Sequence, residues 1–108
     1  MRIEATKVFV KNFKRLKKKY PSLATDLGAL TNKLQNNPLE GVDLGSGFRK
    51  IRISVKSKGK GKSSGMRVIT FNYLINTDNG KIVLVTIYDK SEHESISDKQ
   101  IRKALDLL

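Results

Sequence analysis

FRKIRISVKSKGKGKSSGMRVITF, residues 48–71, contains the pattern from which the fold can be predicted. Apolar and polar residues alternate from Lys50 to Val55, as in a strand that buries one face and exposes the other. A second β-prone run begins at Met66, after a segment rich in lysine, glycine and serine. The stretch therefore predicts two strands of a hairpin, joined by a basic loop and carrying cations on one face.

The basic loop contains Gly61-Lys62-Ser63, which matches the end of a nucleotide-binding phosphate loop. A complete phosphate loop would need a glycine where this chain has Lys56, and a helix rather than a strand after it. We therefore interpret the loop as a source of cations for the backbone of a nucleic acid. The residues given this role are Lys56, Lys58, Lys60 and Lys62, together with Arg49.

Two segments upstream of this hairpin show the spacing of amphipathic helices. Residues 8–20 and 23–34 each repeat apolar side chains on one helical face, and they meet at Tyr20-Pro21-Ser22. We expect a helical hairpin in which Ser22 caps the second helix. The short stretch RIEA, residues 2–5, predicts a first strand.

Downstream, two nearly continuous β-prone runs, Met66 to Ile75 and Lys81 to Tyr88, predict central strands. The turn signal between them is NTDNG, residues 76–80. Ser97 and Gln100 form a capping box, flanked by Ile96 and Ile101 as a hydrophobic staple, and predict a short final helix. The predicted order is β-α-α-β-β-β-α. This is an α+β fold, with an antiparallel sheet, an N-terminal helical hairpin and a C-terminal helix, in one domain over residues 1–108.

The charge balance points to a polyanionic partner. Lysine and arginine number 22 against 10 aspartate and glutamate, which gives a formal net charge of +12. Residues 7–19 and 44–77 contain clustered cations, so RNA, DNA, an anionic membrane surface or an acidic protein are all suitable partners. There is no cysteine for a disulfide or thiolate metal site, and no apolar run of signal or membrane length. We therefore expect a cytoplasmic protein.

The candidate chemistry rests on cations rather than on a metal or cofactor. His93 is the only imidazole, and its neighbours Glu92 and Glu94 would point in different directions on a regular element. Lys50 and Arg52 share one strand face, and hairpin pairing would bring Arg67 close to it. Such a surface can stabilise the charge that builds on a phosphate during attack by an RNA 2′-hydroxyl. The same residues are also compatible with a solvated face that only contacts phosphates.

FRKIRISVKSKGKGKSSGMRVITF followed by IVLVTIYDKSEHESIS, residues 82–97, resembles the RelE/ParE toxin superfamily. The most similar branch is that of HigB-like and RelE-like toxins of bacterial toxin–antitoxin pairs, and the resemblance covers nearly the whole chain. It implies a fold like that of microbial ribonucleases, with helices on one side of the sheet. It also implies cleavage of messenger RNA, often on the ribosome, without a cofactor. The implied partners are an acidic antitoxin and, through the antitoxin complex only, operator DNA.

The resemblance also assigns roles to residues. Lys50 and Arg52 match basic residues that organise the phosphate, Arg67 matches an arginine that stabilises the transition state, and Lys90 matches a further cation. Many members carry a tyrosine where this chain has Ile96. Proton transfer would then fall to Glu92, His93, Glu94 or Tyr88, or be left largely to substrate and solvent. His93 is the candidate acid or base that a pKa near neutrality favours.

Two alternatives to RNA cleavage stay open at this point. The superfamily includes ParE-like toxins that poison gyrase on the same scaffold. The chain could also be a basic nucleic-acid-binding or co-repressor module without chemistry.

Overall fold

Five strands and three α-helices make up the part of the chain that the computed structural model describes, residues 2–58, 65–75, 78–92 and 97–106. In chain order they are β1 (Arg2–Ala5), α1 (Lys7–Lys19), α2 (Leu23–Asn36), β2 (Val42–Gly45), β3 (Phe48–Ile53), β4 (Met66–Tyr73), β5 (Lys81–Asp89) and α3 (Asp98–Asp106). A 3₁₀ turn, Lys56–Lys58, follows β3. The predicted α+β class is confirmed.

The strands form one sheet in the order β1-β5-β4-β3-β2. The pairs β2–β3, β3–β4 and β4–β5 are antiparallel, as predicted. β1 pairs parallel to β5, so the sheet as a whole is mixed and departs from the prediction at this edge. β2 was not predicted, because its four residues are all exposed and show no alternation of buried and exposed positions.

The sheet is covered on both faces. One face packs against the leucines of α2 and the apolar side of α1, with Ile51, Val68 and Ile87 at its centre. The other face holds Ile69 and Tyr88 against Ile101 of α3. The first five residues of β4 and all of β5 after Lys81 are therefore buried on both sides, as predicted for central strands. The implied arrangement with all helices on one side is wrong, because α3 packs on the face opposite α2.

The helix ends show which local signals the chain uses. Thr6 caps α1, since its hydroxyl accepts from the Phe9 N–H at 3.0 Å and donates to the Val85 carbonyl at 2.7 Å. Ser22 precedes α2 but its side chain makes no capping bond, contrary to prediction. The Ser97–Gln100 capping box of α3 is confirmed, with Gln100 N–H donating to Ser97 Oγ at 3.2 Å. The staple residue Ile96 lies outside the described residues.

The hairpin between β4 and β5 begins earlier than predicted. β4 ends at Tyr73, and Leu74 has a positive φ of 47°, which takes the chain out of extended geometry before Ile75. Two residues of the predicted turn, 76 and 77, lie outside the described residues. β5 begins at Lys81, as predicted, and extends one residue further than expected, to Asp89.

Candidate active site

Three side chains form a row across the middle of the sheet. In the register of β3 and β4, Arg52 lies opposite Arg67, and in that of β4 and β5, Arg67 lies opposite Tyr88. Directly opposed residues point to the same face, so Arg52, Arg67 and Tyr88 are neighbours. Lys50 lies two residues from Arg52 on the same strand and therefore shares this face. We call these four residues the cationic row.

The cationic row combines exposed and buried positive charge. Arg52 is exposed and Lys50 half-buried, and no described carboxylate lies within ion-pair distance of either. Arg67 is only 3% exposed, and its Nη1 donates to the carbonyl oxygens of Gly65 at 3.1 Å and Met66 at 3.4 Å. These bonds hold the guanidinium in one orientation at the start of β4.

Burial and like charge both act on Arg67. Burial lowers the pKa of its guanidinium, the neighbouring Arg52 lowers this pKa further, and Tyr88 acts in the opposite direction. The two arginines thus repel each other across the strand pair. An anion bound beside them would offset that repulsion, which makes the row a suitable place for a phosphate.

Tyr88 brings a proton-carrying group to the row. Its side chain is 3% exposed, and burial raises the pKa of the phenol while Arg67 partly counteracts the rise. The phenol is therefore neutral at ordinary pH and can donate its proton. The sequence named Tyr88 only as one of four acid or base candidates, because its register with Arg67 was not apparent.

A family model of the RelE toxin of RelE/RelB toxin–antitoxin systems matches residues 1–107. The chain belongs to the RelE toxin family. Comparison with curated proteins gave no significant match. As a RelE-family member, the protein is the toxin of a toxin–antitoxin pair and has a cognate antitoxin as its partner.

Two predicted RNA contacts of this RelE-family toxin have structural partners. The Arg49 side chain is 17% exposed, and its guanidinium donates to the carbonyl oxygens of Glu40 at 3.1 Å and Gly41 at 2.9 Å. The Lys58 side chain is 8% exposed, and its ammonium binds the buried carboxylate of Asp89 at 2.5 Å. These cations hold together parts of the protein, and their contact with RNA stays a prediction.

The other predicted site residues differ in their surroundings. Lys56 is exposed on the 3₁₀ turn, and Lys90 is exposed directly after β5, two residues from Tyr88. Glu92, a proton-transfer candidate, pairs with Arg15 of α1 at 3.3 Å. The remaining predicted residues, Lys60, Lys62, His93 and Glu94, lie outside the described residues.

A second basic surface runs along α1. Lys7, Lys11, Lys14 and Lys18 recur at the spacing of one helix face, all four are exposed, and α1 contains no acidic residue. We call these four residues the α1 lysine stripe. Like charges repeated on one face repel each other, so the stripe is suited to a polyanion.

Two kinds of feature were not found in the described part of this RelE-family toxin. Within these residues, no three His, Cys, Asp or Glu side chains lie close enough together to hold a metal ion. In the same part of the chain, no helix has the length and apolar character needed to cross a membrane.

Proposed function

We propose that this RelE-family toxin is an endoribonuclease that cleaves messenger RNA. In the reaction, an RNA 2′-oxygen forms a bond to the adjacent phosphorus while the bond from phosphorus to the 5′-oxygen of the next nucleotide breaks. The 2′-hydroxyl loses a proton and the leaving 5′-oxygen gains one. The observation that carries this proposal is the alignment of Arg52, Arg67 and Tyr88 on one face of the sheet.

Lys50 and Arg52 are the more accessible cations of the row, so they meet the RNA first and hold the oxygens of the scissile phosphate. Arg67 stabilises the charge that develops as the phosphorus becomes five-coordinate. Its bonds to two carbonyls fix its position, and its dry surroundings strengthen its interaction with an anion. Because Arg67 is buried, RNA binding has to uncover it, and the exposed Arg52 beside it marks the side from which phosphate approaches.

Tyr88 is the proton donor that the geometry supports best. It lies opposite Arg67, and its raised pKa keeps the phenol protonated, so it can neutralise the leaving 5′-oxygen. His93 remains a sequence prediction for the partner base. Lys90, directly after the strand that carries Tyr88, is assigned to the flanking phosphate.

The substrate we propose is messenger RNA held on the ribosome. The α1 lysine stripe adds exposed cations to those of the cationic row, and structured RNA offers phosphates over a comparably wide area. The α1 lysine stripe would then orient the toxin on ribosomal RNA, and the cationic row would act on the messenger RNA.

The test is cleavage of a defined messenger RNA by wild-type and Arg67→Met proteins in a reconstituted translation mixture. Methionine fills most of the arginine volume but carries no charge, so we expect the cleavage rate to fall by about 10²- to 10³-fold. Arg2→Met is the matched control, because the Arg2 side chain is 68% exposed and lies on the edge strand β1. It should leave the rate unchanged.

Two results would contradict the proposal. A folded Arg67→Met protein that cleaves as fast as wild type would show that Arg67 of the cationic row takes no part in the reaction. Intact messenger RNA together with broken or relaxed DNA after induction of the wild type would instead identify gyrase as the target.

A further inference from the structure

The carboxylate of Asp89 is buried at the end of β5 and accepts four hydrogen bonds. Its exposed fraction is 0%, and its donors are Lys58 Nζ at 2.5 Å, Tyr20 Oη at 3.0 Å, and the backbone N–H and hydroxyl of Ser91 at 2.9 and 2.8 Å. These donors come from the end of α1, the 3₁₀ turn and the turn after β5. A single carboxylate therefore joins three segments that are distant in sequence.

Asp89 also contacts the chain on both sides of the basic segment, residues 59–64. Lys58, the residue before this segment, binds the Asp89 side chain, and Met66, which lies just after it, is paired with Asp89 in the sheet. The Gly65 carbonyl between them accepts from the Arg67 guanidinium. The ends of the basic segment and the orientation of Arg67 thus depend on the same corner of the structure.

A second set of bonds supports the same corner from α2. The Asp26 carboxylate accepts from the Lys56 N–H at 3.3 Å, and Ser22 and Ser57 exchange hydrogen bonds through their N–H and hydroxyl groups at 2.9 to 3.2 Å. This set holds the beginning of the 3₁₀ turn. The Asp89–Lys58 pair holds its last residue.

We propose that Asp89 is a positioning residue for RNA cleavage: by binding Lys58 it fixes the 3₁₀ turn to the end of β5, directly after Tyr88 and opposite the residue that precedes Arg67. The inference rests on the proposed function for the reaction it serves. Buried ion pairs add little net stability compared with apolar residues of the same size, so stability alone does not explain a buried Lys–Asp pair. A pair that fixes the strand ends next to Tyr88 and Arg67 does explain it, because small displacements of reacting groups lower rates strongly.

The chain offers a matched control for this pair. Lys81 of β5 and Glu4 of β1 also form a Lys–carboxylate pair, at 3.0 Å, with side chains that are 22% and 31% exposed. This pair joins β1 to the beginning of β5, the end of the strand remote from Asp89. Asp89→Asn and Glu4→Gln therefore make the same chemical change. Only Asp89→Asn should affect the position of Lys58 and the rate of RNA cleavage.

The first experiment follows trypsin cleavage after Lys58 in the folded proteins, identified by mass spectrometry. Trypsin needs a lysine side chain that can leave its pair, so Asp89→Asn should raise the rate of cleavage after Lys58 by about ten-fold. Glu4→Gln should leave that rate at the wild-type value. An equal rate in wild type and Asp89→Asn would overturn the anchoring role, and this readout does not depend on RNA cleavage.

The second experiment measures single-turnover cleavage of messenger RNA on ribosomes together with the affinity for RNA. Asp89→Asn should lower the rate constant at saturating toxin by about ten-fold or more, while the Kd for RNA changes by less than about three-fold. The Kd changes little because the exposed cations remain. Glu4→Gln should match the wild type in both.

The double variant Lys58→Met/Asp89→Asn separates positioning from stability. It removes both buried charges, so the decrease in Tm caused by Asp89→Asn should be largely reversed. If the cleavage rate stays low while the Tm recovers, the positioning role is supported. If the rate recovers together with the Tm, Asp89 acts through stability only and the inference is overturned. Should the wild type cleave no RNA, the proposed function fails, and the trypsin comparison still decides whether Asp89 anchors Lys58.

Discussion

Arg67 and Tyr88 stand opposite each other on adjacent strands, and each changes the ionisation of the other. The guanidinium favours the ionised phenol, yet burial dominates and the pKa of Tyr88 is raised. A buried cation beside a neutral proton donor is the combination that a phosphoryl-transfer step needs, with charge stabilisation on one side and protonation of the leaving oxygen on the other. At the residue scale, the function therefore depends on one hydroxyl as much as on the cations.

Tyr88→Phe removes that hydroxyl and keeps the ring packed against Ile69 and Ile101. We expect the single-turnover rate of RNA cleavage to fall by about 10²-fold, because the leaving 5′-oxygen must then take its proton from water. Tyr73→Phe, at an exposed tyrosine 45% accessible at the end of β4, is the control and should leave the rate unchanged. A wild-type rate in Tyr88→Phe would return the role of proton donor to another residue.

Asp89 gives the molecule an acid-dependent contribution to stability. Burial by itself raises the pKa of this carboxyl, but hydrogen bonds from Lys58, Ser91 and Tyr20 outweigh burial and lower it from 3.8 to about 2. Because the pKa is lower in the folded than in the unfolded chain, the contribution is complete above pH 3.8. It is lost as the pH falls towards 2, and at neutral pH it amounts to about 2 kcal/mol.

This contribution can be measured by urea unfolding between about pH 2 and pH 6. The wild type should lose that part of its free energy of unfolding on acidification, whereas Asp89→Asn should lack this part of the pH dependence. Parallel pH curves for the two proteins would contradict the assignment.

At the scale of elements, the sequence predicts what depends on local periodicity. The helical spacing of α1 and α2, the capping box of α3 and the pairing of β3 with β4 could all be predicted from residues close together in the chain.

The alignment of the cationic row, by contrast, depends on a β-bulge. Tyr73 pairs with Lys81, and a regular ladder from there would put Ile87 opposite Arg67. The register shift between Ile69 and Thr70 puts Tyr88 there instead.

The internal partners of two basic residues could not be predicted for a similar reason. Lys58 and Arg49 look like any other basic residue of the hairpin in the sequence. Their partners are Asp89, which is 31 residues from Lys58, and the carbonyls of a loop that the sequence does not place against β3. Tertiary packing decides which lysine or arginine binds a partner inside the protein, and no local sequence pattern predicts it.

Two glycines test how the elements hold the candidate site. Gly41 has φ +90°, and a Cβ there would clash with the carbonyl oxygen of Lys50, whereas a Cβ on Gly28 in α2 would meet nothing within 4 Å. Gly41→Ala should therefore cost about 2 kcal/mol or more and shift β3 at Lys50. Gly28→Ala should stabilise the protein by about 0.5–1 kcal/mol, because alanine favours the helix.

The two glycine variants should differ from each other both in urea unfolding and in RNA cleavage. We expect Gly41→Ala to lose cleavage activity even below its unfolding midpoint, since Lys50 is displaced, and Gly28→Ala to keep the wild-type rate. Equal stability of the two variants would mean that the close approach at Gly41 relaxes without cost.

At the scale of the whole molecule, part of the acidic charge is paired within the protein. Several described carboxylates form ion pairs, those of Glu4, Glu40, Asp43, Asp89 and Glu92. The α1 lysine stripe has no acidic neighbour on its own helix, so the net charge of +12 is presented to solvent largely by exposed lysines. Such a distribution favours rapid, salt-sensitive association with polyanions, RNA and an acidic antitoxin alike.

The triple variant Lys7→Gln/Lys11→Gln/Lys14→Gln tests whether this charge binds RNA. Removing one lysine–phosphate interaction should reduce the slope of log Kd against log salt concentration by about 0.7 for single-stranded RNA, so the full variant should flatten it by about 2. Lys33→Gln/Lys81→Gln is the control, because these ammonium groups pair with Glu40 and Glu4. Fluorescence anisotropy with a labelled RNA measures both slopes.

Since none of the three lysines belongs to the cationic row, the rate constant of cleavage at saturating RNA should stay at the wild-type value. A lowered rate constant with an unchanged slope would place the stripe in the chemistry instead of in binding.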